Sequence, residues 1–357
     1  MTTEVVLPER KPLVRRFSEE DWPKVAILGC AFVYGSNFAV VKTLDAAMCP
    51  SLSASLRFGL ASAASVPILK RYGKTSKLNR VFWTGAVEAG CVNGLGYVLQ
   101  AVGLDAVDAS VSAFACSLAV VVVPALDALI LKKRTSKATW VGAAVATLGV
   151  ALLSFDSSGP PANLDEFHRN IGYVATALQP LCFGYGFWRT EQILTSTLGD
   201  PEQKSLLVGD DEKNSLRVAS DEKSSLLVGS SLCCAAAQLF AVKAISDLWL
   251  SADLLNGNIA INLPAMMTFF GTDRGNVIAA IAWTGLITTF LTVLVETLAL
   301  SKISAKDASL LFTTEPIFGA AFASVTLHEH FGRISLIGAS LVVASLASAA
   351  LASEEKA

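Results

Sequence analysis

The chain has 357 residues, 53% of them apolar and only 16% charged, with a mean hydropathy of +0.53. An ordinary soluble domain carries about 25% charged residues, so the charge here is too sparse to coat the two or three soluble domains this length would make. Twenty-eight Lys and Arg against 30 Asp and Glu leave a formal net charge of −2 and no polycationic face for nucleic acid; the composition is that of a polytopic membrane protein.

Residues 1–24 have no apolar core of the signal-peptide kind. Glu4, Glu9, Glu19, Glu20 and Asp21 also argue against an organelle transit peptide. Ten apolar runs follow, at approximately 25–44, 51–69, 81–103, 108–131, 138–155, 170–188, 230–250, 277–300, 305–327 and 333–352. About 20 apolar residues cross the ~30 Å hydrocarbon layer, and a helix satisfies its own backbone there, so each run is expected to be a transmembrane helix. The cations test that count. Twenty-two Lys and Arg fall in the amino terminus and every second connection after it, and only Lys42, Arg169, Arg274 and Arg333 fall on the other side. By the positive-inside rule both termini face the cytosol.

Seven Cys and three His offer little metal chemistry. Six of the Cys lie inside apolar runs, Cys49 near a loop, and no C-x-x-C pair occurs, so neither a zinc site nor a disulfide framework is expected. No cofactor is implied.

Two repeats are visible. Ser205-Leu206-Leu207-Val208-Gly209, Ser215-Leu216-Arg217-Val218-Ala219 and Ser225-Leu226-Leu227-Val228-Gly229 recur at a period of ten between Asp-Glu-Lys spacers, and read as part of a disordered cytosolic insert. The second repeat is architectural. Phe32-Val33-Tyr34-Gly35 in the first run recurs as Phe183-Gly184-Tyr185-Gly186 in the sixth, and Gly142-Ala143 in the fifth as Gly338-Ala339 in the tenth. Five spans follow each start, and an odd number forces the two units into opposite orientations, the arrangement of secondary transporters. The expected fold is therefore all-α, ten transmembrane helices as two inverted five-helix repeats. Its parts are a cytosolic segment at 1–24, a first unit at 25–155 and a non-cytosolic loop at 156–169. A second unit at 170–352, interrupted by the insert at about 195–229, and a cytosolic tail at 353–357 complete the chain.

These stretches resemble the EamA-type permeases of the drug/metabolite transporter superfamily, in particular the branch of plants, algae and cyanobacteria. In the first half the resemblance rests on Tyr34-Gly35-Ser36-Asn37-Phe38 through Lys42, Leu56-Arg57-Phe58, Gly96 to Leu104 and Val122-Val123-Pro124. In the second it rests on Trp283-Thr284-Gly285-Leu286, Glu296 to Leu300, Thr314-Glu315-Pro316, and Leu327 with Glu329. The chain departs from the family pattern where Tyr34 replaces the usual Trp and His328 replaces the Gly of Leu-Gly-Glu. The resemblance implies export of amino acids or other metabolites, the superfamily also moving nucleotide sugars and sugar phosphates; a plasma, vacuolar or plastid envelope membrane would each fit.

Ionisable groups amid lipid cost ~2.5–3.5 kcal/mol at a helix centre, so those retained are candidate site residues. Arg57 and Glu88 lie about a third of the way into their runs, Glu296 near the end of the eighth and Glu315 in the middle of the ninth. Asn93, Tyr97 and Gln100 are spaced i, i+4, i+7 and share one helix face, which would line a cavity with Asn37. Tyr185, Trp188 and Trp283, with Tyr34, are candidate aromatic walls. Pro124 and Pro316 are candidate kinks that free a carbonyl one turn earlier. Asp127, Lys243 and Asp247, nearer span ends, read as interfacial. Small residues along the fifth and tenth runs (Gly142, Ala146, Gly149; Ser340, Ala344, Ser348) permit close helix contact, within the chain or in a homodimer.

The leading expectation is a secondary-active or facilitative transporter of a small metabolite, an amino acid or related solute, with lipid and solute as partners. A non-transporting receptor or scaffold is the alternative. An intramembrane enzyme is disfavoured by the three His and the lack of a G-x-S-x-G elbow, and ATP hydrolysis by the lack of a P-loop.

Overall fold

The computed structural model describes residues 22–47, 50–73, 80–132, 137–155, 166–198, 224–237, 274–303, 308 and 311–354, and among them there is no strand. The first three apolar runs form α1 (Trp22–Ala47), α2 (Pro50–Tyr72) and α3 (Arg80–Leu104). The fourth is split into α4 (Ala109–Cys116) and α5 (Ala119–Leu129), and the fifth is α6 (Lys137–Phe155). Then come α7 (Glu166–Leu198) and α8 (Ser224–Ala237). The eighth run is continuous but changes pitch, from α9 (Arg274–Ala282) through a π-helical segment (Trp283–Leu291) to α10 (Thr292–Leu300). A 3₁₀ turn at Phe312–Thr314 leads into α11 (Glu315–Thr326), and α12 (Arg333–Glu354) ends the bundle.

Two apolar clusters define the ends of the bundle. The near end joins Ile27 and Cys30 of α1, Phe82 of α3, Trp188 and Ile193 of α7, Leu227 of α8, Leu300 of α10 and Phe312. The far end joins Phe38 and Val41 of α1, Leu104 of α3, Ala109 and Ala113 of α4, and Ala323 of α11. The start of α1 thus lies beside the end of α7, so the two units run in opposite directions. Each first helix packs on the other unit: α1 against α10 and α11, α7 against α3 and α5, with α6 against α12 between them. The chain is an all-α membrane protein of two inverted units. Large apolar side chains stay exposed on the outward faces, among them Val87, Val174, Ile278, Val325 and Ile337. In water that surface would be a liability; in lipid it is the solvated face.

Among the described residues, four stretches meet length and apolarity for a span by themselves: Trp22–Asp45, Leu52–Tyr72, Ala109–Leu129 (α4 and α5 together) and Gly275–Leu300. The long α3 and α7 are not among them, because each carries polar and charged residues that it presents to the other, Glu88 and Arg189 included.

Three sequence expectations shift. Residues 224–229, assigned to the insert, are helical, and Leu227, Val228 and Gly229 are buried. This third copy of the ten-residue unit is followed by Ser230-Ser231-Leu232 instead of an acidic spacer, so the apolar face continues into the span. The sixth helix is longer than 170–188: it starts at Glu166, inside the loop expected at 156–169, and extends to Leu198, overlapping the expected start of the insert. The fourth span breaks at Ser117–Leu118, upstream of Pro124, which α5 accommodates within its own length. The remaining insert, the loop at 156–165 and most of the run at 230–250, Lys243 and Asp247 included, lie outside the described residues.

Small residues bring α6 and α12 together within the chain: a Cβ on Gly149 would lie 2.7 Å from Gly338 O and from Val342.

Candidate solute cavity

A cavity of about 130 Å³ lies between the two units, room for several waters or a small solute. One face of α1 supplies Tyr34, Asn37 and Phe38, and the i, i+4, i+7 stripe of α3 supplies Asn93, Tyr97 and Gln100. The break after α4 contributes Cys116 and Ser117. The second unit adds Phe183 and Phe187 from α7, Leu232 and Cys233 from α8, Thr289 and Glu296 from the eighth run, and Phe312 and Glu315. Aromatic edges form one wall, with Tyr97 5.0 Å from Phe58 and 4.9 Å from Phe183, centroid to centroid.

Its polar groups fall into two sets. Asn37 Oδ1 accepts from Arg57 Nη2 at 3.2 Å and from Thr288 Oγ1 at 3.0 Å, while Asn37 Nδ2 donates to Gln100 Oε1 at 3.4 Å. Arg57 is 3% exposed and its Nε has no hydrogen-bond partner, while the Asp45 carboxylate offsets part of its charge electrostatically. A buried guanidinium with an unused N–H donor is costly, which suits a hydrogen-bond acceptor arriving beside Asn37. The other set is acidic. Tyr34 OH donates to Glu296 Oε2 at 2.7 Å, and Glu315 lines the same cavity at the first turn of α11.

Irregular backbone gathers here. In the π-helical segment Thr289 Oγ1 donates to Thr284 O at 2.7 Å and Thr292 Oγ1 to Ile287 O at 2.7 Å, each five residues back, so side-chain hydroxyls satisfy carbonyls where the pitch widens. Pro316 sits in the first turn of α11, where the helical residues 308 and 311 and the 3₁₀ turn at Phe312–Thr314 give way to α-helix, so the helical path changes pitch next to the proline. Broken helices at a midpoint cavity are how membrane carriers present unpaired backbone groups to a solute.

Of the residues singled out from sequence, Asn37, Asn93, Tyr97, Gln100, Glu296 and Glu315 meet in this cavity, and Arg57 stands directly behind Asn37. Glu88, Tyr185 and Trp188 do not. Tyr185 OH bonds Glu88 closely, Arg189 reaches the same carboxylate at 3.0 Å, and Trp188 Nε1 donates to Asp127 Oδ1 at 2.9 Å. Trp283 is 39% exposed and donates to Ser36 Oγ at 3.0 Å, behind α1. Thr288, Thr289, Cys116 and Ser117 went unread. A signal for two of them exists: Asp108-Ala109-Ser110 recurs as Asp307-Ala308-Ser309, and that alignment sets Cys116 against Glu315 and Ser117 against Pro316.

The EamA-like transporter family matches the chain twice, over residues 22–155 and 224–351. The chain belongs to the EamA-like transporter family. The two matched stretches correspond to the first unit and to α8–α12, leaving α7 and the insert between them. An uncharacterized transporter of Archaeoglobus fulgidus is 31% identical over 124 residues, which is 35% of this chain and 37% of that protein, so the match spans little more than a third of its length. A solved structure titled "Crystal structure of protein" shares the fold at a TM-score of 0.59 and 15% identity, covering 93% of this chain and 98% of that one. The family is one of membrane transporters, not enzymes, and the chain is a multi-pass integral membrane protein.

Proposed function

We propose that this EamA-like chain is a secondary-active or facilitative carrier of a small metabolite, an amino acid or related polar or amphipathic solute, working by alternating access. The observation that carries the reading is the charge arrangement of one cavity: Arg57 and the Asn37 and Gln100 amides on one side, Glu296 and Glu315 on the other. A zwitterion would lay its anionic group toward Arg57 and its ammonium toward the carboxylates, and the aromatic wall would take an apolar side chain. The near end faces the cytosol in this reading, which the alternation of Lys and Arg supports.

The test is flux of labelled solutes across purified, reconstituted vesicles, with and without an imposed pH gradient. Glu315→Gln is expected to reduce flux to background while the protein stays monodisperse and expressed. Wild-type flux in that variant would take Glu315 off the solute path, and no movement across a broad panel of amino acids and metabolites would overturn the proposal and favour a receptor.

A further inference from the structure

Glu329 lies beyond α11 and does not line the cavity. It is 9% exposed, and its carboxylate is spent entirely on the first unit. Oε1 accepts the Ala109 N–H at 2.7 Å; Oε2 accepts the Ser110 N–H at 3.1 Å and the Ser110 hydroxyl at 2.6 Å. The leading N–H groups of a helix have no intrahelical partners, and Asp108 at the cap of α4 makes no side-chain capping bond. Glu329 therefore caps α4 from across the boundary between units, its charge suited to the positive end of the helix. Lys42 completes the cluster, 3.8 Å from Glu329 Oε1 and 3.7 Å from Asp108 Oδ1, and donates to Val107 O at 2.9 Å. His328 takes φ 56°, a left-handed turn that aims Glu329 back at α4 and that a β-carbon disfavours.

What Glu329 holds is a short lever. The eight residues of α4 run from this cap to the Ser117–Leu118 break, and Cys116 and Ser117 at the break line the cavity. Between cap and cavity sit Phe38, Ala113 and Ala323, none more than 1% exposed, so the far end is closed by a dry plug that includes α4 itself.

We propose that Glu329 is a positioning residue that latches α4. While the cap holds, the far end is shut. When it releases, α4 pivots at Ser117–Leu118 and solute passes between α4, α1 and α11. The inference rests on the carrier reading, but its test does not need a transported solute.

The full chain, with Cys116 as its one remaining cysteine, is reconstituted and exposed to a membrane-impermeant maleimide from either face. Glu329→Gln is expected to speed Cys116 labelling at least tenfold from the far-end face and to leave the near-end rate unchanged. Ser110→Ala, which removes one of the three bonds, is expected to give a two- to threefold rise from the same face, and it decides the matter if the Glu329 variant does not fold. An unchanged rate, or an equal rise from both faces, would overturn the latch. One-sided labelling without flux of any solute would keep the latch and sink the carrier reading.

Discussion

Tyr34 and Tyr185 hold the same position in Phe-x-Tyr-Gly of the two units, yet they do different work. Tyr34 donates to Glu296 inside the cavity; Tyr185 bonds Glu88 outside it, where Arg189 also pairs and the Glu88 side chain is 41% exposed. The wider division is similar. The first unit brings the amides and the arginine (Asn37, Asn93, Gln100, Arg57), and the second brings the carboxylates, with Glu315 standing where the first has Cys116. Repetition supplies a symmetric scaffold, and the departures from symmetry put amides on the first unit's part of the cavity wall and carboxylates on the second's.

The glycines of that motif give the largest contrast. A Cβ on Gly35 would lie 2.6 Å from Phe318 Cβ and 2.8 Å from Gly319 N, atoms that cannot turn aside. Gly35→Ala is expected to cost about 1–3 kcal/mol by overpacking, read as a lower thermal midpoint and a loss of monodisperse protein. On Gly186 the same methyl meets the Asn93 side chain, which can swing away. Gly186→Ala should therefore keep the midpoint within about 2 °C by this reasoning and lose flux instead, as Asn93 leaves the cavity. The reverse pattern would mean that the units do not differ as described.

The tyrosines come next. Tyr34→Phe removes a hydrogen bond to a buried carboxylate, the kind worth about 1.5–3 kcal/mol, and flux is expected to fall roughly 10- to 100-fold. For Tyr185→Phe a change under about twofold is expected, since Arg189 still holds Glu88 in contact with solvent. Parallel flux measurements on the two variants decide it; equal losses would place both tyrosines on the solute path.

Architecture was legible in the sequence because lipid leaves so few options. Apolar length fixed the helices, the parity of five fixed their inversion, and the Asn93, Tyr97, Gln100 stripe pointed at the cavity through helical spacing alone. Depth in the membrane misled for Glu88. It sits a third of the way along its run, but Tyr185 and Arg189 of α7 lie alongside, and the ion pair satisfies it there. No pattern of periodicity announces a π-helical segment or the Ser117–Leu118 break, since the apolar spacing is the same whichever way the pitch changes. Glu329 was legible as a motif and not as a cap, because its partners Ala109 and Ser110 are about 220 residues away and include bare backbone.

The smallest effect concerns the Glu88–Arg189 pair itself. With side chains 41% and 28% exposed, it is screened by solvent and ions, and such pairs contribute about 0–1 kcal/mol. A double-mutant cycle of Glu88→Gln and Arg189→Gln on thermal stability is expected to give a coupling below about 1 kcal/mol, shrinking further at high salt. The capped Glu329 at the opposite end is 9% exposed and has three donors, so the two ends should answer differently to ionic strength. A Glu88–Arg189 coupling of several kcal/mol, indifferent to salt, would mean that the near end is latched as firmly as the far one, and that the asymmetry between units stops at the walls of the cavity.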